Sequence, residues 1–164
     1  MISYEESRLP VRADIVQAHN VAWGRLARAG SWLDGKTRVA IAAETRHAPQ
    51  CELCRRRKEA LSPYSIAGQH DSLGTLPERI VEQIHRIVSD PGRLTRKWFD
   101  GVIAFGTSDV EYVEIIGVIA TVVSIDTIAV PSVCLLALSQ TPCRGSRTGD
   151  VRGPHISEAR LGCR

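Results

Sequence analysis

The chain has 164 residues, 43% hydrophobic and 24% charged, with a formal net charge of +3, a balance that suits one domain with a core of ordinary size. The cations are interspersed with acids, so the charge pattern lends little support to nucleic-acid or membrane binding and leaves a local anionic ligand open. Five cysteines are an odd count, with only Cys51 and Cys54 close together, which is not the pattern of a secreted disulfide scaffold. The opening MISYEESRLPVRAD is polar and acidic and offers no signal-peptide core, so a cytoplasmic, reducing setting is the working expectation.

The first predicted helix runs from Ala13 to Ala29, where Ile15, Val16, Ala18, Ala22, Trp23, Leu26 and Ala27 recur at helical spacing and Gly30 supplies a stop. The alanine-rich run from Lys36 to His47 predicts a second. It should end at Ala48-Pro49, because a residue before proline avoids the helical region. Glu44 and His47 lie three apart on one face of it. CELCRRRKEAL then restarts a short helix that stops near Ser62-Pro63, with the two cysteines in its first turn. A loop spans Tyr64 to Gly74.

Thr75 and Glu78 have the spacing of a capping box for a helix carrying Ile80, Val81, Ile84, Ile87 and Val88 on one stripe. Ser89-Asp90-Pro91-Gly92 reads as a turn, Thr95 to Phe105 as a helix closed by Gly106, and Ser108 with Glu111 as a second capping box. The last opens a long apolar helix from Asp109 to about Ala129, with Val113, Ile116, Ala120 and Val123 expected on its buried side. The run Ile115 to Ile125 is too short to span a bilayer. Its β-branched residues suit strands as well, but its length and its cap favour helix. Val133 to Leu138 adds one turn or two. The expected architecture is all-α, a bundle of about six helices over residues 1–138, with a loosely ordered tail over residues 139–164 that carries Cys143 and Cys163.

The chemistry concentrates in ETRHAPQCELCRRRK, Glu44 to Lys58. Thiols separated by two residues at a helix start lie about one turn from each other and can join as a disulfide with little backbone movement. The helix N-terminus and Arg55, Arg56, Arg57 and Lys58 favour thiolate over thiol. A thiolate that attacks a peroxide becomes a sulfenic acid, which a second thiol converts to a disulfide. That chemistry needs a proton relay, for which Glu44 and His47 are the nearest groups in sequence. His85 borders the apolar stripe of its helix, with Glu82 three residues before it, and is a further candidate to face the thiols. His70, in the polar loop GQHDS, reads as a surface residue. A tetrahedral zinc site from His47, Cys51, Cys54 and either His70 or His85 is the metal alternative. It ranks lower because the chain has no second Cys-x-x-Cys and no His-x(3–5)-His pair, so neither metal nor cofactor is expected.

Taken together, RVAIAAETRHAPQCELCRRRKEAL, LPERIVEQIHRIVSDPGRLT and DVEYVEIIGVIATVVSID resemble the AhpD-like alkylhydroperoxidases of the carboxymuconolactone decarboxylase superfamily, over approximately Ala13 to Leu138. The resemblance implies an all-helical homo-oligomer that reduces organic hydroperoxides as an antioxidant and is recycled by a thiol or dithiol reductant. It makes Cys54 the attacking thiol, Cys51 the resolving thiol and Glu44 the relay carboxylate, although Glu44 precedes Cys51 by seven positions, fewer than is usual in the family. Active members carry histidines just before the second cysteine and four residues after it, where this chain has Leu53 and Lys58. An imidazole from His47, His70 or His85 would have to serve instead. A non-catalytic redox-sensing or binding module ranks second, and a lactone-acid decarboxylase, which does not depend on a cysteine pair, ranks lower.

Overall fold

The computed structural model describes Ile2, Tyr4 and residues 10–129. Six α-helices, α1 (Ala13–Leu26), α2 (Gly35–His47), α3 (Glu52–Glu59), α4 (Glu78–Ser89), α5 (Arg96–Ala104) and α6 (Asp109–Ala129), are joined by loops and three short 3-10 turns. No strand occurs among the described residues, and the fold is an all-α bundle. The turns expected from Val133 to Leu138, the tail, and Cys134, Cys143 and Cys163 lie outside the described residues. No helix among the described residues is long and apolar enough to cross a membrane.

The core forms where α2, α4 and α6 meet, with Ile41, Ile84 and Ile115 fully buried and Trp23 and Leu26 added from α1. On α6 the buried stripe is Ile115, Val118, Ile119, Val122 and Ile125, a 3.6-residue period. This corrects the expected face: Val113 and Val123 are 66% and 44% exposed, and Ala120 is exposed. Valine and isoleucine surround this helix on both sides, so hydrophobicity alone does not select a face. Its two acids do. Glu114 pairs with Arg38, and Asp126 takes a two-pronged bond from Arg46, at 2.8 Å from Nε and 2.7 Å from Nη2. Both arginines lie on α2, in the same order as the acids, so α2 and α6 run parallel with their ionic contacts edging the apolar seam.

The Arg38–Glu114 pair also sets the end of α1. Arg38 Nε donates to the Leu26 carbonyl at 3.1 Å, and the Trp32 and Leu33 amides donate to Glu114 Oε2 at 2.8 and 3.3 Å. Helix α1 therefore stops at Leu26, three residues before the expected Ala29, because the following backbone is drawn into this node. A Cβ at Gly30 would overlap the Glu114 carboxylate and the Arg38 guanidinium.

The two capping boxes part ways. Ser108 and Glu111 form theirs: the Ser108 amide donates to Glu111 Oε2 at 3.0 Å, and the Glu111 amide donates to Ser108 Oγ at 3.2 Å. Ser108→Ala should cost about 1 kcal/mol of stability, measured by urea denaturation. Thr75 and Glu78 do not form theirs, since α4 begins at Glu78 with Pro77 in the capping position. Leu76 precedes a proline and is disfavoured in the helical region, so a helix capped at Thr75 would begin on a disfavoured residue. Pro77 lacks a donor but contributes its carbonyl, which accepts from the Ile80 and Val81 amides at 2.9 and 3.1 Å.

Candidate active site

After α2 ends at His47, the turn Ala48–Gln50 redirects the chain and Cys51 becomes the capping residue of α3, in an extended conformation. Cys54 follows in the first turn of α3. Both are free thiols, 1% and 3% exposed, and with Leu53 and Ile66 they make a small apolar cluster apart from the main core.

The loop from Ile66 to Leu76 closes over this helix start. Arg57 Nε donates to the Ile66 carbonyl at 3.1 Å, the Glu52 amide donates to Asp71 Oδ2 at 2.9 Å, and the Leu73 amide donates to Glu44 Oε2 at 3.1 Å. Asp71 thus supplies the cap for α3 that Cys51 does not. Gly68 allows the close approach, since a Cβ there would lie 3.0 Å from Leu53 Cδ1. Pinned on both sides of His70, the loop turns that imidazole inward, leaving its side chain only 4% exposed.

Two carboxylate–imidazole–thiol chains converge as a result. In the first, Glu44 Oε1 lies 2.8 Å from His85 Nε2, and His85 Nδ1 lies 3.4 Å from Cys54 Sγ. The Glu44 and His85 side chains are completely buried. In the second, Glu82 Oε2 lies 2.6 Å from His70 Nε2, and His70 Nδ1 lies 3.4 Å from Cys54 Sγ and 3.5 Å from Cys51 Sγ. Arg57 Nη1 donates to the same Glu82 oxygen at 2.9 Å. The two rings stand 4.4 Å apart, centroid to centroid.

These contacts separate the charges. Burial opposes a positive His70, but its contacts with Cys54, Glu82 and Cys51 outweigh burial and push it up to about 10. Burial holds His85 below its ordinary value, with the neighbouring His70 adding to that effect and Glu44 opposing it. Burial raises the Cys51 thiol, yet the Cys54 amide and His70 prevail and leave it lowered. Burial likewise works against the Glu82 carboxylate, and His70 and Arg57 together hold it below the ordinary range. The pattern favours a positive charge on His70, opposes one on His85 and eases proton loss from Cys51.

Of the residues singled out from sequence, Cys51, Cys54, Glu44 and His85 come together in this cluster. His47, half-buried at the end of α2, makes no hydrogen bond to any of them. His70 corrects the reading of its loop as surface. Glu82, expected beside His85, instead holds His70. A polar cavity of about 220 Å³, lined by Gln69, His70, Ser72, Leu76, Glu78 and Val81, opens beside His70. A larger one of about 660 Å³ lies between Leu33, Val39, Pro77 and Ile80 and includes no sulfur or imidazole of the cluster. The chain matches no family model, no curated protein and no solved structure.

Proposed function

We propose that the chain is a dithiol oxidoreductase of the alkylhydroperoxidase type, reducing hydroperoxides through Cys54 and Cys51. The observation that carries this reading is the buried relay from Glu44 through His85 to Cys54, with separations of 2.8 and 3.4 Å. With the Glu44 carboxylate accepting the His85 Nε2 proton, Nδ1 presents a lone pair to the thiol and can take its proton, as a base oriented by a third group does for other nucleophiles.

Cys54 sulfur attacks the terminal peroxide oxygen, the O–O bond breaks, and the relay returns a proton to the departing alkoxide. The products are the Cys54 sulfenic acid and an alcohol. Cys51, whose sulfur lies within 4.8 Å of the other three donor atoms, attacks the sulfenic sulfur; a disulfide forms and hydroxide leaves as water with one proton. In total two thiols and one hydroperoxide give one disulfide, one alcohol and one water. A thiol or dithiol reductant restores the pair. The cavity beside His70 provides an approach for a small hydroperoxide.

Stopped-flow mixing of the reduced chain with an organic hydroperoxide tests the reading. It should give one alcohol per chain, with Cys51 and Cys54 joined and the mass lower by two hydrogens. Unchanged thiols would overturn it. Self-association belongs to the same proposal, supported by the apolar residues Val113 and Val123 exposed on α6. Light scattering should return a multiple of the 18.0 kDa chain mass, and the mass of a single chain would remove this part.

A further inference from the structure

We propose that the reduced site binds one zinc ion through Cys51 Sγ, Cys54 Sγ, His70 Nδ1 and His85 Nδ1, and that oxidation of the pair expels it. The metal-binding half stands without the peroxidase reading; expulsion by peroxide rests on it.

These four donor atoms all lie within 4.8 Å of one another. Zinc at about 2.3 Å from sulfur and 2.0–2.1 Å from nitrogen makes a tetrahedron whose sulfur–nitrogen edges are about 3.5 Å. The three such edges in hydrogen-bond range are 3.4, 3.4 and 3.5 Å. One imidazole nitrogen serving two sulfurs is an awkward hydrogen bond, because a ring nitrogen carries one proton or one lone pair. It is the ordinary geometry of three corners around a common centre.

The outer groups point the same way. A histidine that ligates zinc donates its other ring proton to a carboxylate, which fixes the tautomer and turns the free nitrogen to the metal. Both histidines here are arranged so, His85 on Glu44 and His70 on Glu82, and Arg57 steadies the second carboxylate. Two neutral imidazoles and two thiolates balance the ion's charge in a site whose four side chains are nearly buried. All four positions belong to the protein, which leaves none for a substrate and makes this a closed site. Bound zinc also occupies the Nδ1 lone pair that the relay needs, so the loaded form reacts with hydroperoxide without the relay and more slowly than the stripped one. Zinc held by two thiolates, one hydroperoxide and two protons give the disulfide, an alcohol, water and free zinc ion, with charge and electrons balanced. His47, a candidate ligand by sequence, is not in the set.

Cobalt titration of the reduced, metal-stripped full chain decides the matter. One equivalent should saturate it, giving the intense visible bands of tetrahedral cobalt and thiolate charge transfer in the near ultraviolet, both lost on adding zinc. Weak octahedral bands or no saturation would overturn the site. Cys51→Ser should halve the charge-transfer intensity. Glu82→Gln, which keeps all four ligands, should weaken affinity about 10–100-fold; an unchanged affinity would count against the arrangement. Hydroperoxide added to the zinc-loaded chain should release one zinc per disulfide, read with a chromogenic chelator, and zinc retained through disulfide formation would overturn the coupling. A stripped chain that consumes hydroperoxide without ever showing tetrahedral cobalt loses the zinc site and keeps the peroxidase reading. One that binds cobalt tetrahedrally but leaves hydroperoxide untouched keeps the site and loses that reading.

Discussion

Cys54→Ser should reduce hydroperoxide consumption to the uncatalysed background, while Cys51→Ser should still consume one equivalent and then stop. The asymmetry comes from geometry. Cys54 Sγ touches both imidazoles, at 3.4 Å each, whereas Cys51 Sγ reaches His70 alone, at 3.5 Å. Only Cys54 is on the relay that ends at the buried Glu44. Without Cys51 the sulfenic acid has no neighbouring thiol and should persist long enough to be trapped by a carbon nucleophile and weighed by mass spectrometry. The opposite result, a trapped sulfenic acid in Cys54→Ser, would exchange the two roles.

Glu44→Gln sharpens the same expectation. The amide oxygen can still accept from the Leu73 amide, so the loop over the site stays anchored. The amide nitrogen then faces His85 Nε2 as a donor and forces the ring proton onto Nδ1, against the thiol. An imidazole in that tautomer cannot take the thiol's proton, and the rate should fall by about 10²–10⁴-fold, with the helical circular dichroism unchanged.

Much of the fold was legible because helices write their period into the chain. Five of the six helices start within a residue of the expected positions, and α6 spans Asp109–Ala129 as read. The buried face of α6 was not legible, since it is set by Arg38 and Arg46 on another helix. The same division runs through the site. Glu44, His85 and the two thiols sit on helices, where position in the period suggests which side they face. His70 sits in a loop without a period, and its inward turn depends on Asp71 capping α3 and on Glu44 holding the Leu73 amide, contacts between residues 19 and 29 positions apart. Glu82 misled for a related reason. It lies three positions before His85, but the His85 ring turns into the core toward α2 while Glu82, 35% exposed, reaches the loop.

Ile84→Ala should be the most damaging change outside the sulfur cluster, costing about 2–5 kcal/mol of unfolding free energy. Ile84 is 0% exposed and belongs to the same core cluster as Ile41 of α2 and Ile115 of α6. Truncation leaves a void at the point where the three helices converge, and the lost contacts are recovered only if α4 moves toward α2 or α6. Helix α4 carries both Glu82 and His85, and Ile41 lies one turn before Glu44, so such a movement also disturbs the separation between His85 and Glu44. Urea denaturation of the reduced chain should therefore show the loss in stability, and stopped-flow oxidation a slower first step in the folded fraction. Leu61→Ala, at a side chain fully open to solvent, should change stability by no more than about 0.5 kcal/mol. Equal costs at the two positions would mean that Ile84 does not fill the seam between α2, α4 and α6.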